Sequence, residues 1–513
     1  MSRIGVIGAG AMGQGIVQVL LQAGHDVCWL DSRAGATEQA RATLQKIWQR
    51  MAEKGRCKAS DSEQWLGRMQ LHSEVAEFAD CEVVIEAIIE SEPEKRALFQ
   101  ALEAVIRPSA ILASNTSSLS ITRLASGLKH PDRFAGFHCF NPVPLMPLVE
   151  VIEGLRTSPQ VIHGLEALAE GLGMTAIRVR DTPGFLVNQA GRAYPIESAH
   201  LVSEGVASHE EVDRILREQA GFRMGPFELM DLTGLDVTQP VTEILFREHF
   251  GEPRYRPSVM MGLRRDAGLL GRKTARGFYS YGTGTETPPV TDVEPIERMA
   301  LPACTWIAAA DAQGQQWLEG LVAQSGLTLD RGTRPSSDAL ILLAPLGEDA
   351  TAMATRLDLP ADRCVAVDTL LPPERRRVIM PCLMAEPLAV SQAIALASAQ
   401  AIALASVGAV PVSVIRESTG FVAQRVMSLM VNLACDLAQQ AVASPADIDR
   451  ATRLALGYPK GPLEWGDQLG ADRVLRILQS IFTLSGDPRY RPSAWLRRRV
   501  QLGLSLLTQE PRR

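Results

Sequence analysis

The chain of 513 residues lacks several features that would have narrowed its class. There is no basic excess: 52 Lys and Arg stand against 58 Asp and Glu, for a formal net charge of −6. Neither nucleic acid nor an anionic membrane surface is therefore an expected partner. No apolar run reaches the roughly 18 residues that a membrane span needs. The Ala-rich stretch around 394–410 comes nearest and is broken by Ser, Gln and Gly. The eight cysteines (28, 57, 81, 139, 304, 364, 382 and 435) show no paired zinc spacing and no disulfide framework, which fits a reduced, cytoplasmic protein. The N-terminus enters a strand with no signal-like or transit-like segment. What is there, 46% hydrophobic and 21% charged residues, is ordinary for a soluble globular protein, and the length implies several domains.

The first 31 residues are the most informative. Ile4 to Ile7 reads as a buried strand, followed by Gly8-Ala9-Gly10-Ala11-Met12-Gly13, a helix-like segment, and a second strand closing on Asp31. Gly8 permits a tight turn, Gly10 lets a pyrophosphate approach the backbone, and Gly13 allows close helix–strand packing. The helix opening there aims free N–H groups and its positive dipole end at phosphates. Asp31 would accept hydrogen bonds from an adenosine ribose and repel a 2′-phosphate, favouring NAD over NADP, with Arg33 able to soften that preference.

Residues 1–181 alternate strands and helices, which predicts a parallel sheet covered on both faces. Candidate strands are 4–7, 26–31, 83–86, 111–115, 134–138, 147–152 and 176–180, and a polar helical arm spans roughly 34–56. From Asp181 to about 284 the pattern turns helical. An internal repeat follows: Pro183-Gly184-Phe185 recurs as Thr419-Gly420-Phe421, Val212-Asp213-Arg214 as Ile448-Asp449-Arg450, and Gly225-Pro226 as Gly461-Pro462, all 236 residues on. Residues 254–258 recur one residue closer, as Arg489-Tyr490-Arg491-Pro492-Ser493. The segments 182–284 and 411–513 are thus two copies of one all-α domain. Between them lie a polar linker, Thr283 to Pro295, and residues 300–410, which look α/β with strands at 339–343 and 365–367 but carry no glycine loop. The expected architecture is a Rossmann-type doubly wound sheet, an all-α domain, a degenerate α/β domain and a second all-α copy.

His138 ends the strand Phe134 to Phe137, where ligands bind in a doubly wound sheet. Glu150 lies within the apolar run Leu148 to Ile152 and needs a partner, because an isolated buried charge is expensive. Paired to one imidazole nitrogen, it would fix the tautomer and raise the basicity of the other, giving a general base. A satisfied core histidine and an edge-strand glutamate are the alternative. Asn115-Thr116-Ser117-Ser118 also follows a strand, where it can bind substrate or simply cap the next helix. Asn188, alone, reads as a surface polar residue.

Taken together, these segments resemble the L-3-hydroxyacyl-CoA dehydrogenase family. The matching pieces are the glycine loop and Asp31, Val84 to Ala87 with Glu90 and Lys95, Ser114 to Ser118, Gly136 to Pro144, Leu148 to Val151, Asp181 to Asn188, and Gly271 to Thr274. The duplicated helical domain resembles the family's long bacterial subgroup, tied to phenylacetate breakdown and acting on 3-hydroxyadipyl-CoA or 3-hydroxybutyryl-CoA. The resemblance implies that His138 takes the proton of the substrate 3-hydroxyl while hydride passes to NAD, and that Glu150 orients His138. It implies that Ser117 and Asn188 hold the reacting end of the acyl chain. Glu90, Lys95, Asn141 and Lys273 would contact the cofactor, and Lys54 and Arg50 the phosphates of CoA. A family serine on that arm has no counterpart here, Ile47 being nearest.

The second half departs from the pattern. The counterpart of Asn188 is Gln424, and aligning Arg133 with Arg363 places Asp368 at the position of His138 and Leu371 at that of Asn141. One active site per chain is expected, with the two helical domains packing together and a homo-oligomer possible. Alternatives are a dehydrogenase of a small hydroxy acid or sugar acid, and a non-catalytic, crystallin-like NAD-binding protein. Arg192, Arg223 and Arg272 are read as solvated surface charges, with recognition of a distal carboxylate as the alternative.

Overall fold

The computed structural model describes residues 2–282, 301–372, 374–398 and 410–510. The chain falls into two compact units, Met1–Gln189 with Gln440–Leu456, and Ala190–Gln439 with Gly457–Arg513. The polar linker Thr283 to Pro295 and most of the Ala-rich stretch, 399–409, lie outside the described residues.

The first unit is built on eight strands: β1 (Arg3–Ile7), β2 (Asp26–Leu30), β3 (Met69–Leu71), β4 (Val83–Glu86), β5 (Ile111–Ser114), β6 (Phe134–Cys139), β7 (Leu148–Glu153) and β8 (Thr175–Arg180), in the spatial order β3-β2-β1-β4-β5-β6-β7-β8. The helices are α1 (Ala11–Gln22), α2 (Ala36–Glu53), α3 (Ala59–Gly67), α4 (Glu92–Val105), α5 (Ile121–Ala125), α6 (Pro159–Gly171) and α7 (Val187–Ala190). Central strands such as β4 (Val-Val-Ile-Glu) are buried throughout, as expected when both faces of a sheet are covered. The core gathers Ile4, Val6, Ile16, Leu20, Trp29, Leu44 and Trp48.

The expectation of a parallel sheet needs one correction. β6 and β7 run antiparallel, while the other pairs in this sheet are parallel. Only residues 140–147 join them, and a parallel return needs a crossover of about a dozen residues or more. The consequence is functional, because the antiparallel register sets His138 directly opposite Glu150. β3 and α3 were not expected from the sequence. A strand of Met-Gln-Leu is too short to show alternation.

The second unit holds α8 (Ala193–Ser203), α9 (His209–Glu218), α10 (Pro226–Thr233), α11 (Leu235–Glu248) and α12 (Val259–Asp266). Then come β9 (Cys304–Ala309), α13 (Ala312–Gln324), β10 (Thr328–Leu329), β11 (Leu340–Ala344), α14 (Ala350–Arg356), β12 (Cys364–Val367), β13 (Arg377–Pro381), α15 (Pro387–Ser398) and β14 (Val412–Val414). The repeat closes the chain as α16 (Val422–Gln439), α17 (Pro445–Leu456, which belongs with the first unit), α18 (Pro462–Leu469), α19 (Ala471–Ser485) and α20 (Ala494–Leu502). The second sheet, in the order β10-β9-β11-β12-β13-β14, again turns antiparallel at one step, between β12 and β13. That echo of β6–β7 supports descent from one α/β pattern.

The two helical copies exchange equivalent arginines. Arg489 donates to Glu197 of α8 at 2.6 Å, joined there by Arg425 of α16 at 2.7 Å, and Arg254 pairs with Asp436 of α16. Arg254 and Arg489 occupy matching places in the repeated Pro-Arg-Tyr-Arg-Pro-Ser segment.

The second α/β domain starts its first helix differently. Where α1 has Gly10 as its uncapped start, α13 is capped by the Asp311 carboxylate, which accepts from Gly314 N at 2.7 Å. Arg473 of α19 then donates to Asp311 at 2.8 Å, to Gln313 at 2.9 Å and to the Thr369 carbonyl at 3.0 Å. Asp368 is buried and accepts from Gln424 at 3.0 Å.

Candidate active site

The glycine loop has the sterics that the sequence required. Gly8 has φ +114°, and a Cβ there would lie 2.3 Å from the Ala87 carbonyl oxygen. A Cβ at Gly13 would lie 2.0 Å from the Gly8 oxygen, whereas a Cβ at Gly10 would meet nothing within 4 Å. The first turn of α1 has no side-chain cap, so its N–H groups remain available to an anion. Asp31 braces this loop, accepting from Ala9 N at 2.7 Å on one oxygen and from Arg33 N at 2.9 Å on the other. Burial works to raise its pKa, but these donors and the Arg33 guanidinium outweigh it and hold the carboxyl below its ordinary value. Arg33, expected to weaken an NAD preference, pairs with Asp31 at 3.2 Å. An uncapped helix start, an open Gly10 and an ionised acid after β2 fit a dinucleotide.

Next to the loop lies an open cleft lined by Met12, Glu90, Lys95, Asn115, Ser117, His138 and Asn141, among others. His138 is buried, with Nδ1 2.6 Å from Glu150 Oε2. A carboxylate can only accept, so Nδ1 carries the proton and Nε2 is left as the acceptor. The other oxygen of Glu150 accepts from Leu186 N at 3.0 Å and Val187 N at 2.8 Å. Both donors follow the turn Pro183-Gly184-Phe185, in which Gly184 (φ 76°) and Phe185 (φ 53°) are left-handed. The rings of Phe140 and Phe185 lie 4.5 and 5.7 Å from the imidazole centre.

Asn188 donates to the Ser117 carbonyl at 3.4 Å, so these two candidates meet. Glu90 accepts from Thr116 Oγ1 at 2.6 Å, Ser117 N at 3.1 Å and Ser118 Oγ at 2.8 Å, and so shapes the loop that carries Ser117. Lys95 is buried, 2.5 Å from Glu86 and 3.2 Å from Glu90. Burial works to raise the pKa of Glu90, yet the Lys95 charge and the hydroxyl donors hold it below its ordinary value.

Two other candidates of the first unit do not line this cleft. Arg50 and Lys54 are exposed at the C-terminal end of α2 and do not line it. Lys273 belongs to the second unit, where it pairs with Asp236 at 2.7 Å. Arg223 and Arg272 are exposed, in keeping with surface charges. Arg192 is not one, because its Nε and Nη1 are shut off from solvent. Asn115, offered by the sequence as part of a substrate-binding or helix-capping segment, ties the ends of β5 and β6 together, its Oδ1 accepting from Cys139 N at 2.8 Å. An amide directly after a strand, one strand away from the histidine, was the available signal.

Residues 3–182 match the family described as 3-hydroxyacyl-CoA dehydrogenase, NAD binding domain. Residues 184–281 and again 420–509 match the C-terminal domain of the same enzymes. The chain is 35% identical over 503 residues to the 3-hydroxyadipyl-CoA dehydrogenase of Escherichia coli (strain K12), covering 98% of each. It is 41% identical over 280 residues to a probable 3-hydroxybutyryl-CoA dehydrogenase of Deinococcus radiodurans, covering 54% of this chain and 100% of the relative. Among solved structures, the 3-hydroxybutyryl-CoA dehydrogenase of E. coli K12 superposes with a TM-score of 0.82 at 33% identity, over 98% of each chain. With the site geometry, the repeated helical match and an end-to-end relative in agreement, the chain belongs to the 3-hydroxyacyl-CoA dehydrogenase family and is an NAD-binding oxidoreductase.

Proposed function

We propose that the protein oxidises an L-3-hydroxyacyl-CoA to the 3-oxoacyl-CoA at a single site per chain, with His138 as general base and Glu150 as its positioning partner. The observation that carries this reading is the 2.6 Å contact from Glu150 to Nδ1 of an imidazole that lines the cleft beside the glycine loop. Nε2 of His138 takes the proton of the substrate 3-hydroxyl, and Glu150 stabilises the imidazolium that results. A positioned base of this kind contributes about 10²- to 10⁴-fold to rate. Bound NAD supplies the acceptor for the hydride leaving C3. Ser117 and Asn188 hold the reacting end of the acyl chain, because hydride transfer depends on close alignment.

The glycine loop, Asp31, Glu90, Lys95, Asn141 and Lys273 serve the cofactor. Lys95 acts there through Glu90 as well, since its ammonium is already shared by two carboxylates. Arg50 and Lys54 pair with CoA phosphates as exposed cations. Asp311, Arg473 and Asp368 in the second α/β domain leave it without a nucleotide site. The second helical copy takes the place of a partner subunit, and the enzyme works in the cytoplasm, in fatty-acid or phenylacetate-type catabolism. No helix among the described residues is long and apolar enough to cross a membrane.

The test compares NAD reduction on 3-hydroxybutyryl-CoA with that on free 3-hydroxybutyrate. Turnover confined to the CoA ester is expected. Equal turnover of the free acid would favour a small hydroxy-acid dehydrogenase, and none on either, with NAD still bound, a non-catalytic binder.

A further inference from the structure

The ladder between β5 and β6 gives out where Ser114 faces Gly136, two residues short of His138. On its other edge β6 stays paired with β7 as far as Cys139. At Cys139 the β5 side of the strand is held by a side chain in place of backbone. Asn115 Oδ1 accepts from Cys139 N at 2.8 Å, while Asn115 N donates to the Glu86 carbonyl of β4 at 2.8 Å. Asn115 is buried, and it ties together the carboxyl ends of three strands, where ligands of such sheets bind. The bond falls on the peptide that follows His138. It fixes the backbone from which the imidazole springs, as Glu150 fixes the ring itself.

The second α/β domain shows the same place without the clamp. On the alignment of Arg133 with Arg363, Ala366 corresponds to Gly136 and Asp368 to His138. Leu343 faces Ala366 as Ser114 faces Gly136, so the counterpart of Asn115 is Ala344. A methyl group cannot accept a hydrogen bond. The amide is therefore present in the copy that has the imidazole and absent from the copy that lacks it.

We propose that Asn115 is a second positioning residue for the base, holding the peptide after His138 so that the ring stays on Glu150 with Nε2 toward the substrate hydroxyl. This rests on the proposed reaction. An amide suits the task because it accepts the N–H without bringing a charge. The ionisable groups around the imidazole are Glu150 from β7, Glu90 and Lys95 from the segment entering α4, and Cys139, whose thiol burial pushes up to about 12. With an uncharged clamp, the charge on the ring is set chiefly by Glu150.

The test compares wild type with Asn115→Leu, which is similar in size and lacks the acceptor, and Asn115→Asp, which keeps the acceptor and adds a charge. Asn115→Leu should lower kcat for 3-hydroxybutyryl-CoA by about 10- to 100-fold, with KM for NAD within about threefold of wild type. Asn115→Asp should recover most of that loss. The acid limb of kcat reports the imidazole losing its proton. It should move to lower pH in Asn115→Leu, where Glu150 supports the imidazolium less, and to higher pH in Asn115→Asp. Asn115→Ala replaces the leucine variant where the latter does not fold. A purely structural role would lower the melting temperature and leave the acid limb in place. That result, an unchanged kcat, or a loss confined to KM for NAD overturns the assignment. If the wild type does not oxidise the ester, the reading of the reaction fails, and NMR titration of His138 in the free protein decides Asn115. The imidazole pKa must then fall in Asn115→Leu and rise in Asn115→Asp, and a pKa that stays put in Asn115→Leu overturns the positioning role.

Discussion

At Glu150 one oxygen holds the imidazole and the other holds two backbone N–H groups, so the carboxylate cannot turn without breaking three bonds. That fixation gives His138 a set orientation before substrate arrives. Glu90 does related work for the Ser117 loop, and its depressed pKa makes a pH-dependent expectation. Its contribution to stability is present above the unfolded value of about 4.3 and is lost as pH falls through the folded value. Glu90→Gln should therefore lower stability at pH 7 by about 1 kcal/mol, a modest figure because the side chain is partly exposed. Thermal melts should show that gap narrowing as pH falls below about 4, and a gap that does not narrow on acidification would assign the effect elsewhere. His138 and Glu150 were legible in sequence because a titratable group at a strand end and an acid inside an apolar run both need explaining. Lys95 was less so. Its burial between Glu86 and Glu90 depends on how α4 lies over the sheet, which no local pattern encodes.

Among the elements, the turn from β1 into α1 separates binding from folding within three glycines. Gly10→Ala adds a methyl to open space, so the fold should tolerate it. The methyl would stand where a pyrophosphate approaches, and KM for NAD should rise about tenfold or more at an unchanged melting temperature. Gly13→Ala would press into the Gly8 carbonyl and should lower the melting temperature instead. Steady-state kinetics and thermal melts on the two variants separate these effects, and identical behaviour would contradict the division of roles. The loop was readable because each glycine meets a local demand. The antiparallel step from β6 to β7 was missed, although the short stretch 140–147 already forbade a crossover. Alternation of element types is a weaker signal than the length of a connection.

For the whole molecule, the duplication means that α8 and α16, both largely buried, face each other within one chain. A chain ending at residue 289 would expose the faces that Arg425, Arg489 and their neighbours cover. It should aggregate or dimerise, as light scattering coupled to size exclusion would show, and a fully active soluble monomer would contradict this. The repeat was plain in sequence because Pro-Arg-Tyr-Arg-Pro-Ser and its companions recur in one register. The fate of the second α/β domain was only half readable. Absence of the glycines showed in the sequence, but the Asp311–Arg473 pair at the start of α13 joins residues 162 apart.

The most direct measurement is steady-state oxidation of 3-hydroxybutyryl-CoA by His138→Gln, with NAD binding and the melting temperature measured on the same preparation. The account expects kcat to fall by about 10³-fold or more while NAD still binds and the fold holds. Turnover within a few-fold of wild type would contradict it.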